Sequence, residues 1–214
     1  MKTDMHAAKI WQTIWPVLSK KYHRTATFLD YKNPWELLVA VILSAQTTDD
    51  MVNKVTPELF AKYPGPKQLA NAPTADIARI IRRIGYYNSK SKYIQKTAKI
   101  LLENFKGIVP DNEVDLQKLP GVGRKTAVAV LSNAFNKNIG IPVDTHVIRF
   151  VKRFNLSNAT DPNKIERELL EIIPKKDWRR TGYSIKEYGR KEGRARNWKP
   201  EEDPVWKIYQ TVVK

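Results

Sequence analysis

Apolar residues recur along this chain at helical spacing. Ile77, Ile80, Ile81 and Ile84 fall at i, i+3, i+4 and i+7, the signature of a one-sided apolar stripe. Thr74 is placed to cap that helix and Gly85 to stop it. A second stripe runs Ile94, Ala98, Leu101, Leu102 and Phe105, and ends near Gly107. A third runs Val147, Ile148, Val151 and Phe154. A fourth, Ile165, Leu169 and Ile172, follows Asp161-Pro162, a good cap and first-position pair. Pro34 to Leu43 reads as an apolar helix. Asp115 to Leu119 reads as a short helix, broken by Pro120-Gly121-Val122-Gly123 and restarted from Arg124 through Leu131. No segment sustains the period-two alternation of a strand. The pattern predicts an all-α fold with short connections, its stripes packed into core. The stretch 200–206, rich in proline and acid, reads as irregular chain tied down by aromatics such as Trp206.

Composition adds a partner to this picture. The chain has 214 residues, with 38 Lys and Arg against 22 Asp and Glu, a net charge of +16. An excess of that size points to a polyanion such as nucleic acid. Segment 175–199 is locally basic, with ten Lys or Arg against Asp177, Glu187 and Glu192, and its plainest reading is a solvated helix face. There is no cysteine, which excludes disulfides, thiolate zinc sites and Cys-ligated iron–sulfur clusters. His6, His23 and His146 are too scattered for a metal site, so no metal site is expected. The longest apolar run, Leu37 to Leu43, is far too short to span a bilayer, and Met1 to Lys9 lacks an apolar signal core. The expectation is an intracellular protein, cytoplasmic or nucleoid-associated, with no membrane partner.

Two segments carry candidate chemistry. Leu119-Pro120-Gly121-Val122-Gly123-Arg124-Lys125-Thr126-Ala127 is a Gly-rich hairpin that opens a helix. Glycine at 121 and 123 permits close backbone approach, and amides at a helix N-terminus bind phosphate. The segment is more specific than an ordinary helical corner needs. Lys125 lies in the first turn of the new helix, where the dipole, Arg124 and partial burial would all favour the neutral amine. A neutral amine is what nucleophilic attack requires. Asp144 follows the loop Gly140-Ile141-Pro142-Val143 and reads as a helix N-cap. The same carboxylate could stabilise an oxocarbenium-like sugar. Lysine and aspartate together suggest chemistry on deoxyribose. Ser44-Ala45-Gln46-Thr47-Thr48-Asp49 joins two helices, and its polar groups read equally well as caps or as contacts. Ile84-Gly85-Tyr86-Tyr87-Asn88-Ser89-Lys90 is a second polar-aromatic turn, in which Tyr86 could stack on a base or pack beneath a loop.

Leu43 to Asp49, Asn88-Ser89-Lys90, Leu119 to Ala127 and Val143-Asp144-Thr145-His146-Val147 jointly resemble endonuclease III, the helix-hairpin-helix DNA glycosylase family. The resemblance extends from about Pro34 to Arg190. It implies two helical domains with a DNA-binding cleft between them. One is central, 27–138, with the helix-hairpin-helix; the other is built from 1–26 plus 139–214. It implies a damaged base flipped out of duplex DNA before excision, by a monomer whose partner is double-stranded DNA with base lesions or abasic sites. By the same resemblance Lys125 is the nucleophile at the anomeric carbon, forming a Schiff base that permits β-elimination, and Asp144 is the essential carboxylate. Gln46 fills the gap left by the flipped nucleotide, and Tyr86 lies where the family often has an aliphatic wedge. DNA contacts are expected at Gln46, Thr47, Tyr86, Asn88, Lys90, Gly121, Val122, Gly123, Arg124, Thr126 and His146. The hairpin grips backbone phosphate and has carbonyls able to take an alkali cation.

The chain departs from the family pattern after Tyr188-Gly189-Arg190. The positions of the usual four cluster cysteines fall on Gly193, Pro200, Asp203 and Tyr209. The expectation is therefore an enzyme with no iron–sulfur cluster, its C-terminal loop held by Trp198, Trp206 and ion pairs. The resemblance implies a DNA glycosylase and abasic-site lyase acting on oxidised pyrimidines such as thymine glycol. A uracil or G:T/G:U mismatch glycosylase of the same fold is the near alternative. A non-catalytic helix-hairpin-helix DNA-binding module is the distant one.

Overall fold

The computed structural model describes residues 5–213. Residues 1–4 and 214 of the expected terminal domain, with the start of the Met1–Lys9 segment, lie outside the described residues. The helices are α1 (Met5–Lys21), α2 (Pro34–Leu43), α3 (Asp49–Lys62), α4 (Pro66–Asn71), α5 (Thr74–Ile80), α6 (Tyr87–Phe105), α7 (Glu113–Leu116), α8 (Arg124–Ala134), α9 (Thr145–Arg153), α10 (Pro162–Ile172), α11 (Trp178–Lys191) and α12 (Pro204–Val213). There is no strand among the described residues, so the fold is all-α as the periodicity predicts. No helix among them is long and apolar enough to cross a membrane. The chain forms two compact units, Thr27–Lys137 and Met1–Ala26 with Asn138–Lys214.

In the central unit α2 is the axis. Every residue from Trp35 to Leu43 is buried, which explains an apolar run with no polar face. Asn33 caps it by accepting the Glu36 amide at 2.9 Å. Around α2 pack α3, α6 and α8, and α4 and α5 close on α6. The first stripe is shorter as a helix than its pattern suggests. α5 stops at Ile80, yet Ile81 and Ile84 remain buried in the turns that follow. Burial, rather than helix, keeps them in the pattern. Thr74 is not the cap. The helix is entered from Pro73, whose carbonyl accepts Asp76 and Ile77 amides at 2.9 and 3.2 Å, and the Thr74 hydroxyl turns to Gln95. On α6 Leu102 is exposed. Gly107, at φ 78°, donates back to the Leu101 carbonyl at 2.8 Å, a left-handed termination that favours glycine.

The terminal unit has its own core. Ile10, Trp11, Ile14, Leu18 and Tyr22 meet Val147, Phe150, Val151, Phe154, Ile165, Leu169, Ile185 and Tyr188. α10 begins as its sequence predicts, Asp161 accepting the Lys164 amide at 2.8 Å. The basic helix α11 is more than a solvated face, since Thr181, Gly182, Tyr183, Ser184, Ile185, Tyr188 and Gly189 are buried.

The stretch 200–206 is not irregular throughout. Pro204 starts α12, and Asp203 caps it by accepting the Val205 and Trp206 amides at 2.9 and 3.2 Å. The same carboxylate, 1% exposed, accepts the Tyr188 hydroxyl and the Trp198 indole, the latter at 2.9 Å. Arg153 lies 3.8 Å over the Trp198 ring and donates to the Tyr188 hydroxyl at 3.0 Å. Trp198 meets Trp206 edge-on at 5.0 Å. The ion pair nearest the loop, Lys199–Glu202, is exposed and contributes little. Buried hydrogen bonds to Asp203 therefore hold this loop, with the two expected tryptophans. Asp203→Ala leaves the Tyr188 hydroxyl and Trp198 indole without acceptor, and is expected to cost about 3 kcal/mol. Thermal melting by circular dichroism checks this. A drop in Tm below about 2 °C would show the hub to be dispensable.

Candidate active site and nucleic-acid interface

The hairpin forms, with shifted limits. Its first helix starts earlier than expected, because Asn112 accepts the Asp115 amide at 2.9 Å and so caps α7 at Glu113. Its second helix starts at Arg124 as expected and runs on to Ala134. Between them Gly121 adopts φ 79°, conformational space that a side chain resists. A Cβ there would also press on Ile42 and Tyr93 at 3.4 Å. Gly123 stands at the N-cap of α8 with no side chain to cap it, and the first backbone bond into the helix is Ala127 N–H to the Gly123 carbonyl at 3.0 Å. The Lys125 and Thr126 amides have no partner among the described residues. Open amides at a helix start favour an anion. Val122 is corrected as a contact: its side chain is buried and its amide donates to the Leu119 carbonyl at 3.1 Å, so it offers a phosphate no free donor. Thr126 is half-buried.

Lys125 stands in the first turn of α8, but it is exposed, which corrects the expectation of partial burial. Its neighbour Arg124 is half-buried and ion-paired with Glu113, so much of the local positive charge is already compensated. Glu113 was not singled out by the sequence; nothing marks a pairing eleven residues away. The Lys125 amine itself makes no hydrogen bond or ion pair among the described residues.

Asp144, in the terminal unit, caps α9. Its Oδ1 accepts the His146 and Val147 amides at 2.8 and 3.0 Å. Its Oδ2 takes no hydrogen bond from the described residues. One oxygen thus fixes the carboxylate, and the other is open. His146 is half-buried against Gly189, where a Cβ would lie 2.3 Å from its Nδ1. Arg149 Nη2 stands 3.0 Å from that nitrogen. A guanidinium only donates, so Nδ1 accepts and the ring proton sits on Nε2. Burial pushes the imidazole below its ordinary value, against the Asp144 charge and with the Arg149 charge. Arg149 is legible in retrospect, one helical turn after His146.

The remaining expected contacts divide. Gln46 is exposed at φ 53°, and Tyr86 is 68% exposed at φ 58°. Asn88 is exposed, and Thr47 is half-buried. Lys90 is corrected: it is 4% exposed, so it is no surface contact. Its ammonium is turned inward to backbone carbonyls at the end of α2. Among the described residues no cluster of His, Cys, Asp or Glu can hold a metal.

A helix-hairpin-helix with open amides, a lysine in its second helix and a capping aspartate downstream define a helical DNA-repair class. The chain belongs to the HhH-GPD superfamily of base excision DNA repair proteins, whose family profile matches residues 39–175. It is 45% identical over 174 residues to endonuclease III of Synechocystis sp., covering 81% of this chain and 80% of that one. It is 39% identical to endonuclease III of Escherichia coli, with 79% and 80% covered. Among solved structures it matches a non-covalent endonuclease III–DNA complex with a TM-score of 0.89 at 38% identity, covering 94% of each chain. It also matches a trapped endonuclease III–DNA covalent intermediate with a TM-score of 0.89 at 36% identity, covering 97% of this chain and 99% of that one.

Proposed function

We propose that this chain is a DNA glycosylase and abasic-site lyase of base excision repair, acting inside the cell as a monomer on oxidised pyrimidines in duplex DNA. The observation that carries the reading is Lys125: exposed, without a partner among the described residues, in the first turn of a helix whose amides are open to a phosphate. The relatives support it through their names, and one structural neighbour is a trapped covalent intermediate with DNA.

The chemistry follows from the two groups. After its ammonium gives one proton to solvent, the Lys125 amine forms a bond to the sugar C1′ while the glycosidic C–N bond breaks. The base departs with that electron pair and takes up the proton that the new secondary ammonium sheds. Asp144, fixed through Oδ1, offers the charge of Oδ2 to the sugar as it becomes cationic. Opening of the sugar ring then leaves a Schiff base. Loss of a C2′ proton expels the 3′ phosphate and nicks the strand, and water finally releases Lys125. In the hairpin the Gly121 and Val122 carbonyls accept no hydrogen bond from the described residues, so they are the groups that would hold an alkali cation.

The same reading has the enzyme working without an iron–sulfur cluster. The residues do not fit one: Asp203 is committed to four donors, Tyr209 accepts from Asn155 at 2.7 Å, and a Cβ at Gly193 would strike the Tyr188 ring.

An excision panel of oxidised, deaminated and mismatched bases tests the substrate class. Preferential release of uracil or mispaired thymine would replace oxidised pyrimidines with the alternative. Incubation with abasic-site duplex separates the enzyme from a binding module, which would bind without nicking. Affinity should also fall steeply with salt, given the +16 charge and a phosphate-binding hairpin. A plot of log K against log salt on an abasic analogue should have a slope steeper than about −3; a flat plot contradicts the electrostatic argument.

A further inference from the structure

Lys90 is a buried lysine that the proposed chemistry does not use. It lies in the first turn of α6 and is 4% exposed. Its Nζ donates to the Leu43 carbonyl at 2.8 Å, to the Ala45 carbonyl, and to Thr47 Oγ1 at 3.1 Å. Those three acceptors engage all three ammonium protons. Leu43 ends α2, and Ala45 and Thr47 lie on either side of Gln46 in the turn that leads from it to α3.

The same Thr47 oxygen accepts the Gly85 amide at 3.2 Å. Gly85 is the residue before Tyr86, and a Cβ on it would sit 3.2 Å from the Gln46 carbonyl and 3.4 Å from Thr47 Oγ1. The two turns therefore touch through backbone. Each turn presents a non-glycine residue in the left-handed region, Gln46 at φ 53° and Tyr86 at φ 58°, with its side chain exposed. Such conformations persist only where the surroundings over-determine them. Here one buried ammonium and one hydroxyl bond the residues on either side of Gln46 and the residue before Tyr86, beside the backbone bonds of each turn.

We propose that Lys90 is a positioning residue that staples the 43–47 turn to the 85–86 turn, so that Gln46 and Tyr86 meet the DNA stack together and already in place. This rests on the reading that both side chains enter the stack. A helix-ending lysine bonded only to α2 carbonyls would need neither burial nor the shared Thr47 oxygen. Burial moreover draws the amine down to about 8, a cost with no return if the lysine merely ended a helix.

The test uses full-length Lys90→Met, which keeps side-chain volume and removes the three donors. Duplex DNA carrying a stable abasic analogue beside 2-aminopurine reports unstacking by fluorescence. Lys90→Met should lose most of the unstacking signal and lower the preference for lesion over undamaged duplex by on the order of tenfold to 100-fold, the cost of small misplacements at a site. Borohydride trapping on a single-stranded abasic oligonucleotide, which has no stack to open, should persist. A wild-type signal and preference in folded Lys90→Met overturns the staple. Should Lys90→Met not fold, Thr47→Val carries the test, because it cuts the link shared by Lys90 and Gly85 and, besides that, only a long 3.5 Å bond to the Ala45 carbonyl. It should move both readouts the same way, and wild-type behaviour overturns the proposal. Gln46→Ala and Tyr86→Ala control the underlying reading: if neither changes the signal, stack entry itself fails, and the staple with it.

Discussion

Lys125→Gln is expected to abolish borohydride trapping of the protein on abasic-site duplex, while the protein stays folded and bound to DNA. The amide has no nucleophilic amine, so no Schiff base forms and the route to β-elimination closes. Nicking should fall by at least about 1000-fold, the scale of losing a covalent nucleophile. Affinity should change by less than about tenfold, since one exposed cation among many contributes a small share of counterion release. Stability should hardly move, because Lys125 is exposed and bonds to nothing among the described residues. Trapping and nicking at wild-type levels would falsify the assignment and leave Lys125 a solvated helix lysine.

Asp144→Asn separates the two roles that one carboxylate holds. Asparagine caps helices about as well as aspartate, and its carbonyl oxygen can still accept the His146 and Val147 amides now met by Oδ1. The fold should therefore survive. Base excision should fall by about 100-fold or more, the usual scale for removing one preorganised charge. On a preformed abasic site the loss should be smaller, because no glycosidic bond remains to break. Single-turnover excision and nicking, measured side by side, give the two numbers. Excision at the wild-type rate returns Asp144 to a helix cap and nothing more. The Asp144 charge also holds the His146 imidazole up against burial, so removing it should lower that imidazole further.

Much of this fold and site is legible in local chemistry. The stripes of α9 and α10 are helices because three or four apolar residues on one side leave no other periodicity. Asp161-Pro162 starts α10 because an Asx cap and a fixed φ are local properties. Asp203-Pro204 is the same signal, and its surrounding proline and acid obscured it, although it starts α12 in the same way. The Gly121 turn, the open start of α8 and the Asp144 cap all follow from short-range backbone needs. They are visible as Pro-Gly-x-Gly and as a lone aspartate after a Gly/Pro loop.

What sequence alone determined is thus the helical class, the basic character, a chain without cysteine, and a glycine hairpin that opens a helix, with Lys125 and Asp144 as candidates for its chemistry. Tertiary structure alone decided which cations are available. Lys125 and Lys90 are both first-turn lysines beside a polar turn, and nothing local separates them. One is exposed and without a partner among the described residues; the other is buried against carbonyls more than forty residues away. The difference lies in where α2 ends relative to α6, a long-range packing fact. For the same reason Arg124 turns out to be neutralised by Glu113, and Asp203 to be the hub of the C-terminal loop. Burial and pairing across distant segments are set by how the helices pack, and local patterns carry no record of them.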